Sequence, residues 1–140
     1  MPIQILHAAD FHLDAPFASL NAEQAAERRG EQRELLARLA ELARSRGADL
    51  VLLSGDLFDG GELYAETGQA LVRTLGQTGC PVFIAPGNHD FYSARSPYAR
   101  LAWPDNVHLF RRAGLTPVEL EGKACTVWGA AFTAPAREDS

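Results

Sequence analysis

Three short polar clusters interrupt an otherwise apolar sequence. They are Asp10-Phe11-His12, Gly55-Asp56-Leu57-Phe58-Asp59 and Gly87-Asn88-His89-Asp90. Carboxylates, imidazoles and an amide are what borderline and hard divalent cations prefer, and no thiolate stands among them. Such a set suits Mn²⁺, with Fe²⁺ or Zn²⁺ behind it. Each cluster has an ordinary reading when taken alone. Asp-x-His after a strand is commonly a turn closed by an Asx hydrogen bond. Gly-Asp-x-x-Asp serves equally well as a loop that leads to a helix cap. Gly-Asn-His-Asp is more specific, because Pro86-Gly87 sets a tight turn that presents several polar side chains at once. Their joint occurrence favours metal chemistry.

The elements between the clusters explain how they could meet. Residues 3–9 are short, apolar and β-prone. From Asn21, a plausible N-cap, to about Arg46 the spacing of Leu35, Leu36, Leu39, Leu42 and Ala43 predicts one long helix. Residues 49–54 form a near-continuous apolar run, the mark of a strand buried on both faces. A second helix is predicted over about 62–78, with Leu63, Ala70, Leu71 and Leu75 as its stripe. A third buried strand follows at 81–85, then a short helix near 97–102 and short strands near 107–110, 116–120 and 124–130. Strand, helix, strand, helix, strand predicts an α/β fold with a parallel βαβαβ core and right-handed crossovers. In such sheets ligands bind beyond the carboxyl ends of the strands, which is where all three clusters fall.

Composition narrows the class. A chain of 140 residues, 46% apolar and 22% charged, fits one soluble domain. No apolar run approaches the ~20 residues needed to span a bilayer. Met1 to Ala9 lacks a signal-peptide pattern, and Cys80 and Cys125 show no metal-ligand spacing, so free thiols and a cytoplasmic location are expected. The net charge of −5 argues against indiscriminate polyanion binding, but it is unevenly spread. Residues 1–90 carry 7 basic and 13 acidic side chains, whereas 91–118 carry Arg95, Arg100, Arg111 and Arg112 against Asp105 alone. An acidic cation site followed by a basic stretch suits a phosphate-bearing substrate.

In order and separation, D-x-H, G-D-x-x-D and G-N-H-[DE] resemble the hallmark of the calcineurin-like metallophosphoesterases. The stretch from Leu6 to Phe17 and that from Ser96 to His108 look like bacterial DNA repair exonucleases of the SbcD and YhaO type. By that resemblance Asp10 and His12 hold a first metal, Asp56 bridges two, and Asn88 holds the second. His89 faces the substrate as acid or transition-state stabiliser, oriented by Asp59. The resemblance also implies two Mn²⁺ ions, a DNA substrate and an SbcC-like ATPase partner. A shared anionic ligand between two cations is physically required, since their mutual repulsion is otherwise uncompensated. Arg95, Arg100, Tyr92 and Tyr98 suit phosphate contacts and base stacking. Trp103 reads as a core plug, and His7 and His108 read as strand histidines of the core.

The family completes its site with downstream histidines, including a Gly-His-x-His element that has no counterpart among the four histidines here. The expectation is therefore a single phosphoesterase domain over 1–140, truncated on its C-terminal side. One metal would bind weakly, the second site would stay largely vacant, and hydrolysis would be slow or absent. Two other readings stay open: a phosphatase or phosphodiesterase for nucleotides or other small molecules, and a non-catalytic scaffold that keeps the fold.

Overall fold

The computed structural model describes residues 2–15, 19–59 and 63–135. Its centre is a four-stranded parallel sheet in the order β1-β2-β3-β4, formed by Ile5–Ala8, Leu50–Ser54, Val82–Ala85 and Val107–Leu109. Helices α1 (Ala22–Ser45) and α2 (Ala65–Gly76) make the first two crossovers, and a single-turn helix α3 (Pro97–Arg100) lies in the third. Strands β5 (Thr116–Leu120) and β6 (Cys125–Gly129) pair antiparallel. Among the described residues no helix is long and apolar enough to cross a membrane.

Alternation along the strands divides the core in two. Val51, Leu53, Val82 and Ile84 meet Leu36, Leu39 and Ala43 of α1 and Leu71 and Leu75 of α2. On the opposite face Leu50 and Phe83 meet Phe110 and Leu120, with Val118, Cys125 and Val127 from the hairpin. The helix ends follow the sequence. Asn21 accepts from the Gln24 amide and Gln24 reaches back to the Asn21 amide, a reciprocal capping box. Helix α2 begins at Ala65 behind Tyr64, which makes no side-chain cap. The start expected near Glu62 lies outside the described residues.

Several expectations need correction. Leu35 and Leu42 belong to the helical stripe by spacing yet stay 53% and 41% exposed, while Ala40 is buried instead. Sheet order accounts for His7. Strand β1 is an edge, so Ile5 and His7 on one of its faces remain exposed, and His7 Nε2 bonds Ser54 Oγ at 2.5 Å. His108 is also exposed, although partial burial against its neighbours lowers its pKa. Neither is a core histidine. Trp103 is half-buried against the helix-side core and donates from Nε1 to the Tyr98 carbonyl at 2.8 Å, as its plug role requires. Cys80 is buried, Cys125 is half-buried, and both are free thiols.

The hairpin is seated through Gly129. A Cβ there would stand 2.1 Å from Cε2 of Phe110, a ring itself buried between hairpin and sheet. Gly129→Ala is expected to cost about 2–3 kcal/mol through overpacking, read as a lower urea midpoint with an unchanged slope.

Candidate metal centre

The first two clusters are extensions of the sheet. Beyond the ends of β1 and β2 the two chains keep running side by side. The amides of Asp10, His12 and Leu13 donate to the carbonyls of Gly55, Asp56 and Leu57 at 3.3, 2.9 and 2.9 Å. Leu13 and Phe58 close this extension as a parallel bridge, and both are buried. Alternation then does the rest. Phe11 and Leu13 go into the core, and Asp10 and His12 come out onto the rim.

This path is conformationally costly. Among the described residues, the non-glycine positions with left-handed backbone are Asp10, His12, Asp14 and Asp56, with φ of 61, 49, 56 and 54°. Side chains rarely adopt that region, at about 1–3 kcal/mol each. Three of the four are the residues the sequence assigns to metal. Strain concentrated on candidate ligands points to a site whose geometry is held by its surroundings.

One ligand atom each from Asp10, His12 and Asp56 lie within 4.8 Å of one another. His12 Nε2 is 4.0 Å from Asp10 Oδ1, while His12 Nδ1 faces Asp59 Oδ1 at 3.1 Å. A carboxylate on one ring nitrogen fixes the imidazole and raises the basicity of the other, the arrangement common behind metal-binding histidines. Asp56 Oδ1 is buried and has no hydrogen-bond partner among the described groups. An unpaired buried carboxylate oxygen is costly unless something cationic meets it. That orphaned atom, beside an Asp and a His with converging ligand atoms, fits a divalent cation.

The third cluster packs against the second backbone to backbone. A Cβ on Gly87 would stand 3.0 Å from Gly55 Cα and 3.2 Å from Asp56 N, and Gly55 itself has φ 77°. These glycines therefore serve the contact between two loops. Asn88 and His89 are exposed on this loop, and His89 Nδ1 lies 3.3 Å from Asp56 Oδ1. Asp59 therefore pairs with His12 and Asp56 pairs with His89, a different partnership from the expected Asp59–His89 couple.

Sequence reasoning gave Asp90 no role. Its buried carboxylate accepts from the amides of Asp56, Leu57, Phe58 and Gly87 at 3.2, 2.8, 3.1 and 2.8 Å, and from the Tyr98 hydroxyl. It thereby fastens the second cluster to the third. Burial, then the adjacent Asp90 charge, pushes the Tyr98 phenol far above its ordinary pKa and keeps it a neutral donor. Tyr98 is thus a buried structural donor and takes no part in base stacking. The acidic residue directly after Gly-Asn-His was the available signal. Asp14 was also missed: it accepts from the Tyr64 amide and the Thr67 hydroxyl at 2.9 and 3.0 Å, tying the first loop to α2.

A cleft of about 180 Å³ opens beside the site, lined by Phe58, His89, Phe91, Ser93, Arg95 and Ser96 among others. Arg95 stands in this wall. Arg100 is exposed in the last turn of α3, away from that lining. Tyr92 packs against the core, with the Arg111 guanidinium 5.8 Å from its ring centre. Its face is covered by the chain's own cation, so it offers no open stacking platform.

The sequence profile of the calcineurin-like phosphoesterases matches residues 3–128. The chain belongs to that family. This phosphoesterase is 32% identical over 117 residues to the uncharacterized metallophosphoesterase YhaO of Bacillus subtilis, covering 79% of this chain and 28% of that protein. It is 36% identical over 91 residues to the SbcD component of the SbcCD nuclease of Escherichia coli, covering 63% of this chain and 21% of the relative. It is 39% identical over 95 residues to the DNA double-strand break repair protein Mre11 of Aeropyrum pernix, covering 66% and 22%. The phosphoesterase chain thus spans about a quarter of the length of these relatives.

Proposed function

We propose that this phosphoesterase is the metal-binding part of a manganese-dependent DNA nuclease that hydrolyses phosphodiester bonds. The observation that carries the reading is the convergence of Asp10, His12 and the orphaned Asp56 Oδ1 next to His89. Asp10, His12 and Asp56 would hold the first Mn²⁺, and Asp56 with Asn88 the second; Fe²⁺ or Zn²⁺ suits the same donors less well. When bound, such cations polarise a phosphoryl oxygen and activate a water.

The chain's own residues supply the rest. Asp59 holds the His12 ring by Nδ1, which leaves Nε2 as its ligand atom. His89 keeps Nδ1 toward Asp56 and lines the cleft, so a substrate oxygen there can receive a proton from the imidazole or be stabilised by it. Arg95, in the same wall, offers a charge-assisted contact to a phosphate. Asp59 acts through His12, so it is a positioning residue. Arg100 and Tyr92 face elsewhere, and we give them no direct substrate role.

The names of the SbcCD and Mre11 relatives support DNA as the substrate over a small phosphoester. One of them is a component of a two-part nuclease, which supports an SbcC-like ATPase as the partner of this chain and a cytoplasmic site of action. The test compares labelled single- and double-stranded DNA with bis(p-nitrophenyl) phosphate under saturating Mn²⁺. We expect DNA to be cut at least ~10-fold more efficiently, and His89→Ala to remove ~10²–10⁴-fold of the rate. Equal rates on the two substrates would favour a small-molecule phosphodiesterase. Activity that survives His89→Ala would remove His89 from the chemistry.

A further inference from the structure

Helix α1 sends one polar side chain onto the strained loop. Gln32 Nε2 donates to the carbonyls of Phe11 and His12 at 3.2 and 2.8 Å, and its Oε1 accepts from the Asp14 amide at 3.2 Å. A carboxamide is suited to this because it offers donors and an acceptor on one planar group. The contacts straddle the run in which Asp10, His12 and Asp14 all take left-handed backbone. The ladder to residues 55–57 fixes that run on one side through its amides. Gln32 takes the carbonyls that a left-handed turn directs away from the ladder.

We infer that Gln32 is a positioning residue for the cation site, holding the Phe11–Asp14 turn in the conformation that brings the Asp10 and His12 ligand atoms to Asp56. The inference rests on the metal-binding reading above. Without the carboxamide the turn loses three hydrogen bonds and relaxes toward ordinary backbone, where the polar and apolar side chains no longer alternate in the same sense. Ligand atoms then spend less time converged, and cation affinity falls by the fraction of time lost.

The test is calorimetric titration with Mn²⁺ alone, at a temperature where every protein compared is folded. Gln32→Met keeps the volume and removes all three hydrogen bonds. Leu36→Ala, one turn along the same helix at a buried core position, lowers stability without touching the loop. We expect Mn²⁺ affinity to drop ~10–100-fold in Q32M, the usual size for groups that orient ligands, and to stay at the wild-type value in L36A. Wild-type affinity in Q32M would overturn the inference. So would an equal loss in L36A, since the effect would then be general destabilisation. A wild type that binds no Mn²⁺ overturns the metal reading itself and this inference with it, an outcome distinct from the other two. If Q32M does not fold, Gln32→Glu keeps the acceptor for the Asp14 amide and loses both donations. Because its added negative charge favours the cation, a loss of affinity there is expected at the low end of that range, and no loss overturns the inference.

Discussion

Asp56→Asn is expected to abolish Mn²⁺ binding and to lower DNA hydrolysis by at least ~10³-fold, while leaving the cation-free protein as stable as before or slightly more so. The two halves of this expectation come from one atom. Asp56 Oδ1 is buried without a hydrogen-bond partner, so in the absence of a cation it contributes a penalty. An amide in its place removes the charge that a bridging ligand needs and also removes the cost of burying it. Asp56 holds other parts of the site as well. Its carbonyl accepts from the His12 amide, and its Oδ1 lies 3.3 Å from His89 Nδ1. The backbone contact survives the substitution, so the loops stay where they are. Calorimetry with Mn²⁺ and a thermal melt without it therefore separate ligand loss from misfolding. Asn88→Ala, by contrast, removes one neutral exposed donor and should weaken binding only in part. Equal Mn²⁺ affinity in Asp56→Asn and wild type would refute the bridging role, whatever the activity showed.

What the sequence made legible and what it hid divide along physical lines. Parallel strands buried on both faces leave continuous apolar runs, so β2 and β3 could be read directly, and their carboxyl ends located the rim. The Asn21 cap was readable because capping chemistry is local. Exposure was not, because it depends on which strand is the edge. His7 alternates like a core residue and stays open only because β1 has no neighbour on one side. Pairings within the site were also hidden. Types and spacing brought Asp59 and His89 to one rim, but whether Asp59 meets His89 or His12 depends on loop paths set by left-handed residues. Of those, Asp10, Asp14 and Asp56 are of a type that tolerates such backbone, and His12 carries no such mark in the sequence. Gln32 left no trace, since a glutamine on an amphipathic helix looks solvated until the loop opposite is in place. Tyr92 and Tyr98 were read as platforms because aromatic residues near arginines suit nucleic acid. In the fold one of them is covered by Arg111 and the other is consumed by Asp90.

Asp90 is where stability and chemistry share one group, and its replacement should have the largest effect on the fold of any single polar substitution here. Four backbone amides and a phenol converge on its carboxylate, with almost no access to water. Asn in its place keeps one acceptor oxygen and turns an NH₂ group toward donors that cannot accept. Breaking a buried charged hub in this way costs about 3–5 kcal/mol, a large part of the 5–15 kcal/mol that typically holds a domain together. We therefore expect Asp90→Asn to lower the melting temperature by ~10 °C or more, taking a few degrees per kcal/mol for a chain of this size. Tyr98→Phe removes only the phenolic donor and should cost about 1.5–3 kcal/mol. The two losses should be less than additive, because both report on the same contact. Chemical denaturation of the two single variants and the double variant measures that coupling directly. The affected amides belong to Asp56, Leu57, Phe58 and Gly87, so the damage should not be confined to stability. At temperatures where Asp90→Asn is still folded, Asp56 has lost the bond that fixes its left-handed backbone, and Mn²⁺ affinity should fall as well. Additive stability losses together with unchanged Mn²⁺ affinity would show that Asp90 is neither coupled to Tyr98 nor needed to place Asp56.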